Sequence, residues 1–87
     1  MKKVLITGGC GFVGLNLVNL LLDKTSWEIN ILDNLSQGNV EDLKKLTNYD
    51  SSRINFFKGD IRNLKDIKKA IEDCNLVVHL AAQTGVL

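Results

Sequence analysis

Apolar and polar positions along this chain alternate between two periods. Lys3 to Thr7 is a short apolar run stopped by Gly8-Gly9, the pattern of a strand buried on both faces. From Phe12 the spacing turns helical: Leu15, Val18, Leu21 and Leu22 fall on one side, with Asn16, Asn19 and Asp23 elsewhere. Glu28 to Leu32 reads as a second strand ending at Asp33, and Asn34 to Gly38 as a loop. Asn39 can cap a second helix with Val40, Leu43 and Leu46 inward, and Thr47 to Ser52 is polar and turn-like. Arg53 to Lys58 is a third strand stopped by Gly59. Asn63 caps a third helix whose inner face is expected to be Leu64, Ile67, Ala70 and Ile71. Asn75 to Ala82 completes the series as a fourth, almost wholly apolar strand.

The order β-α-β-α-β-α-β implies right-handed crossovers and an α/β fold with a parallel sheet. The expectation is a partial Rossmann fold over residues 1–87, with strand order 3-2-1-4 and three crossover helices. The first two helices should cover one face and the third the other. A ligand crevice should form at the carboxyl ends of strands 1 and 4, where the winding reverses.

Composition narrows the partners. Eleven Lys and Arg stand against ten Asp and Glu, so no basic field favours nucleic acid. No apolar run approaches the roughly 18 residues of a membrane span, and the run after Met1-Lys2-Lys3 stops at Thr7-Gly8, too soon for a signal peptide. Cys10 and Cys74 match no metal or redox spacing, which points to a reducing cytoplasm.

The candidate chemistry starts at Thr7-Gly8-Gly9-Cys10-Gly11-Phe12-Val13-Gly14, between the first strand and the first helix. Gly9, Gly11 and Gly14 fit G-x-G-x-x-G, while Gly8, Gly11 and Gly14 fit G-x-x-G-x-x-G. Both patterns allow a tight turn, close approach of a pyrophosphate to the backbone, and free N–H groups at a helix start. Cys10 lies near a helix N-terminus, which could lower its thiol pKa, but no redox role is assigned to it. Asp33 lies nineteen residues after Gly14 and can accept from adenosine ribose hydroxyls. That favours NAD over NADP, since Asn34-Leu35-Ser36-Gln37 offers no cation for a 2′-phosphate. Asp60 could accept from an adenine amino group while the Ile61 N–H donates to the ring; taken alone, a helix-entry carboxylate is nearly as good a reading of Asp60. His79 reads as a core or strand-end histidine.

Together, Thr7 to Gly14, Leu32-Asp33-Asn34-Leu35-Ser36, Gly59-Asp60-Ile61-Arg62 and His79-Leu80-Ala81-Ala82-Gln83 resemble the extended short-chain dehydrogenase/reductase family. The resemblance is strongest to its NAD-dependent sugar-nucleotide epimerases and dehydratases, and it covers essentially the whole chain. It implies NAD as cofactor and a cofactor-binding set of Gly8, Gly11, Phe12, Val13, Gly14, Asp33, Asn34, Ser36, Gly38, Asp60, Ile61, Leu80, Ala81 and Ala82. Phe12 and Val13 would offer helix amides, Asp33 the ribose contact, Asp60 and Ile61 the adenine contacts. Leu80, Ala81 and Ala82 would line the groove.

In that family a Tyr-x-x-x-Lys pair follows the fourth strand and carries the catalysis of a sugar-nucleotide substrate. Tyr49 is followed four positions on by Arg53 and precedes the third strand, so it is not that tyrosine, and no catalytic residue is assigned. The expectation is an N-terminal segment that binds the ADP half of NAD and is inactive alone. It should also self-associate through an exposed fourth-strand edge. Two other readings stay open: a non-enzymatic nucleotide-binding or assembly module, and part of an S-adenosylmethionine-dependent methyltransferase.

Overall fold

A central strand must be apolar on both faces, and the run at the start of the chain meets that condition. In a computed structural model, which describes residues 2–35 and 38–80, this run becomes β1 (Lys3–Thr7), with Val4, Leu5 and Ile6 essentially inaccessible. There follow α1 (Phe12–Lys24), β2 (Glu28–Asp33), α2 (Val40–Lys44), β3 (Ile54–Lys58), α3 (Leu64–Ile71) and β4 (Leu76–His79). The four strands form one parallel sheet in the order β3-β2-β1-β4, as expected.

The sheet divides two cores. On one face Val4, Ile6, Ile29 and Ile31 meet Val18 and Leu22 of α1 and Leu43 of α2. On the other, Leu5 and Leu32 meet Ala70 of α3, with Ile67 and Cys74 packed alongside. Alternate residues of β1 and β2 serve opposite faces, as the two-residue period of a strand requires. The winding therefore reverses between β1 and β4, the switch point at which folds of this kind bind ligands.

Three local expectations need correction. The second helix is one short element ending at Lys44, and Leu46 packs against the core from the turn beyond it. The inner face of α3 is narrower than its spacing implies: Leu64 is 64% exposed and Ile71 39%, while Ala70 is fully buried. The cause is close approach over β2, where the Asn30 side chain donates to the Ala70 carbonyl at 2.8 Å. A helix held so near the sheet by a small residue turns its larger apolar neighbours to the rim. The fourth strand ends at His79, although Leu80 still donates to the Thr7 carbonyl at 3.0 Å; Ala81 and Ala82 lie outside the described residues.

Asn39 and Asn63 cap their helices as anticipated. The Asn39 side chain accepts from the Asp42 N–H in a reciprocal capping box, and Asn63 accepts from Lys65 and Asp66. The carboxyl end of α1 is tied by a distant residue. The Arg53 guanidinium donates to the carbonyls of Thr25 at 2.7 Å, Trp27 at 3.0 Å, Leu22 at 3.1 Å and Leu21 at 3.4 Å. It thereby adds donors to carbonyls at and just beyond the helix end, where the helix itself supplies few.

Candidate nucleotide site

The glycine loop runs from the end of β1 over its carboxyl edge into α1. Gly8 has φ of 77°, a left-handed conformation that favours glycine, and its N–H donates to the Leu32 carbonyl at 2.8 Å. At Gly14 a β-carbon would lie 2.4 Å from the Gly8 carbonyl oxygen and 2.6 Å from the Gly9 α-carbon. The first turn of α1 is therefore seated directly on the loop. Both overlapping glycine patterns are used, because a β-carbon at Gly9 would also come within 2.6 Å of Ile31.

Gly11 differs from these three. Its nearest prospective neighbour is the Gly8 carbonyl oxygen at 3.5 Å, an ordinary contact, so no protein atom requires a glycine there. It is also the N-cap of α1, with no side-chain hydrogen bond to the first turn and no acidic residue in that turn. Phe12 is 83% exposed and Val13 63%. The positive end of a thirteen-residue helix thus opens onto an uncluttered backbone cradle.

Asp33 ends β2 beside this cradle and is only 8% exposed. Its Oδ2 accepts the Cys10 N–H at 2.9 Å, and its Oδ1 accepts the Leu35 N–H at 2.7 Å. Each oxygen keeps acceptor capacity for a hydroxyl. Leu35 takes up a left-handed φ of 65° and packs its side chain into the α1–α2 core, while exposed Asn34 precedes it. Gly38 lies so close to the Cys10 carbonyl that a β-carbon would clash at 2.1 Å. Its glycine serves the packing of one loop on the other; Ser36 lies outside the described residues.

The Cys10 expectation is reversed. Burial, followed by the charges of Asp33 and Asp42, pushes its thiol from 9.0 up to about 12. Desolvation and two carboxylates outweigh the dipole of the neighbouring helix.

Asp60 stands beyond the end of β3. Its carboxylate accepts from Arg62 Nη2 at 2.7 Å and from Arg62 Nε at 3.1 Å, and the Arg62 guanidinium holds its pKa down at about 2. The Asp66 carboxylate accepts the Asp60 N–H at 2.9 Å. Ile61 packs against the Leu5–Leu32–Ala70 core, which fixes the backbone of this turn. The structure thus brings the glycine loop, Asp33 and the Asp60–Ile61 turn to one end of the sheet.

A tie at the β1–β4 switch point was not anticipated. Thr7 Oγ1 lies 2.7 Å from His79 Nδ1 and accepts the Leu80 N–H at 3.1 Å. Its only sequence signal was a polar residue ending each of two apolar strands. Tyr49 packs against the α1–α2 core. A polar hollow of about 440 Å³ opens at the opposite, amino end of the sheet. There the Lys3–Glu28 pair and the Asn55–Glu28 hydrogen bond already engage much of its lining.

Comparison with known proteins agrees with this geometry. The family model described as GDP-mannose 4,6 dehydratase matches residues 5–87. A UDP-glucose 4-epimerase of Neisseria meningitidis serogroup B is 35% identical over 88 residues, 99% of this chain and 26% of that protein. A CDP-paratose 2-epimerase of Salmonella typhi is 37% identical over 93 residues, 97% of this chain and 25% of that protein. Among solved structures, a dTDP-glucose 4,6-dehydratase from Bacillus anthracis str. Ames in complex with NAD superposes with a TM-score of 0.84 at 31% identity. That match covers 95% of this chain and 27% of the other. The chain spans about a quarter of the length of the curated relatives it matches. With the motifs, the sheet order and the family match in agreement, the chain belongs to the GDP-mannose 4,6-dehydratase family, within the sugar-nucleotide epimerases and dehydratases.

Proposed function

We propose that these residues bind the ADP half of NAD, as the cofactor-holding part of a sugar-nucleotide epimerase or dehydratase. The observation that carries this reading is the opening at Gly11. Three glycines of the loop are accounted for by backbone conformation or protein packing, whereas the fourth leaves room at an uncapped helix start. A pyrophosphate suits that helix start in charge and hydrogen-bonding sense. Asp33 supplies the ribose acceptor beside it, and the Asp60–Ile61 turn lies at the same end for the adenine. The dehydratase solved with NAD, at 31% identity, supports the same cofactor.

In the whole protein, NAD would serve as the reversible hydride acceptor for a sugar-nucleotide hydroxyl. The residues here orient it: the α1 amides hold the diphosphate, Asp33 fixes the ribose, and Leu80 lies at the crevice between β1 and β4. Tyr49 packs against the core and no Tyr-x-x-x-Lys pair occurs in residues 1–87, so this 87-residue chain is expected to bind without turnover.

Titration calorimetry with ADP-ribose tests the reading. The wild type should bind, and Asp33→Ala should weaken binding by roughly tenfold or more, the worth of a charged hydrogen bond. Gly11→Ala, whose added methyl meets no protein atom closer than 3.5 Å, should weaken it as well. Equal affinity in all three proteins would sink the assignment. Preference for S-adenosylmethionine would transfer it to the methyltransferase reading.

A further inference from the structure

The loop after β2 has no cation near Asp33, but the sheet brings one from elsewhere. In the β2–β3 register Asp33 is the direct partner of Lys58, and the Gly59 N–H donates to the Asp33 carbonyl at 3.1 Å. Parallel neighbours lie about 4.8 Å apart. Ile54 and Phe56 of β3 pack on the same core as Ile29 and Ile31 of β2. By two-residue alternation, Lys58 and Asp33 share that face. Lys58 is exposed and forms no ion pair among the described residues. Arg62, the other cation just beyond β3, is already held by Asp60. Asp33 and Asp42 make the field around Cys10 negative.

We propose that Lys58 is a specificity-determining residue that softens the rejection of a 2′-phosphate by Asp33. This rests on the adenosine ribose lying at Asp33, as argued above. The carboxylate repels a phosphate on the 2′-oxygen, and an ammonium one strand away, on a flexible four-carbon stem, offsets that repulsion. The β2–α2 loop alone therefore overstates the preference for NAD.

The experiment is calorimetry of the whole chain at low salt with ADP-ribose and with its 2′-phosphorylated counterpart. The wild type should bind both. Lys58→Gln should lower affinity for the 2′-phosphorylated ligand by roughly threefold to tenfold and leave ADP-ribose unchanged. Lys58→Glu should lower it further, and added salt should shrink both differences. Lys58 is an exposed edge-strand residue, so neither variant threatens folding. The proposal is overturned if both variants keep the wild-type ratio of affinities. It is overturned equally if the wild type binds ADP-ribose but not its 2′-phosphorylated form. Failure of the wild type to bind either ligand would overturn the adenosine reading itself, and the role of Lys58 with it.

Discussion

The Asp33 carboxylate accepts the Cys10 amide at 2.9 Å, so the residue expected to hold a ribose also holds the glycine loop. On the proposed reading, one side chain would couple cofactor recognition to the shape of the glycine loop. Asp33→Ala would leave a buried N–H without a partner, at a cost of about 1–3 kcal/mol in urea unfolding. The same change removes a negative charge beside a thiol held at about 12. Cys10 is buried and its thiol pKa is pushed up, whereas Cys74 is only partly buried, so alkylation read by mass spectrometry should reach Cys74 first. In Asp33→Ala, Cys10 should label faster.

Gly11 and Gly14 are three positions apart and should respond differently to alanine. Gly14→Ala drives a methyl into the Gly8 carbonyl, and an expected loss of about 2 kcal/mol or more follows from overpacking. Gly11→Ala should lose no more than about 1 kcal/mol, the weaker capping by alanine, while binding ADP-ribose less well. Thermal melts with and without ligand separate the two. Equal destabilisation would contradict the open space at Gly11.

Arg53 binds four carbonyls at the end of α1 from a position nearly thirty residues later. Arg53→Met should cost about 2–3 kcal/mol, since charge-assisted hydrogen bonds to a helix end are lost together. Arg53→Lys should recover only part of this, because an ammonium lacks the planar fork. Chemical denaturation of the three proteins checks the order.

The Asp60–Arg62 pair predicts an acid dependence. The Asp60 pKa is drawn from 3.8 to about 2, chiefly by hydrogen bonds from the Arg62 side chain and backbone. A carboxylate depressed in the folded state stabilises above its unfolded pKa and loses that contribution as pH falls through the folded one. The stability gap between wild type and Asp60→Asn should hold at neutral pH and close between about pH 4 and 2. A gap unchanged across that range would exclude the pair as its source.

Among the described residues β4 pairs on one side only, with β1, and Leu76 and Val77 are nearly half exposed. An apolar edge of this kind templates further pairing. The isolated 87-residue chain is expected to self-associate through two antiparallel copies of β4. Light scattering should show mass rising with concentration, and Val77→Lys should suppress the rise. A monomer at high concentration would end that idea.

The order of elements, the sheet topology, the two helix caps at Asn39 and Asn63, and the glycine loop with Asp33 were legible in the sequence. Each depends on neighbours within a few residues, or on a winding rule that admits one hand. Other features were not. That Leu64 and Ile71 face outward follows from Asn30 drawing α3 onto β2. That the Cys10 thiol pKa is pushed up follows from its burial, Asp33, Asp42 and the seat beneath Gly38. Arg53 on α1, His79 on Thr7 and Lys58 beside Asp33 are meetings set by strand register. Local order is written in periods of two and 3.6 residues. Which charge stands next to which depends on long-range pairing, and only the assembled sheet decides it.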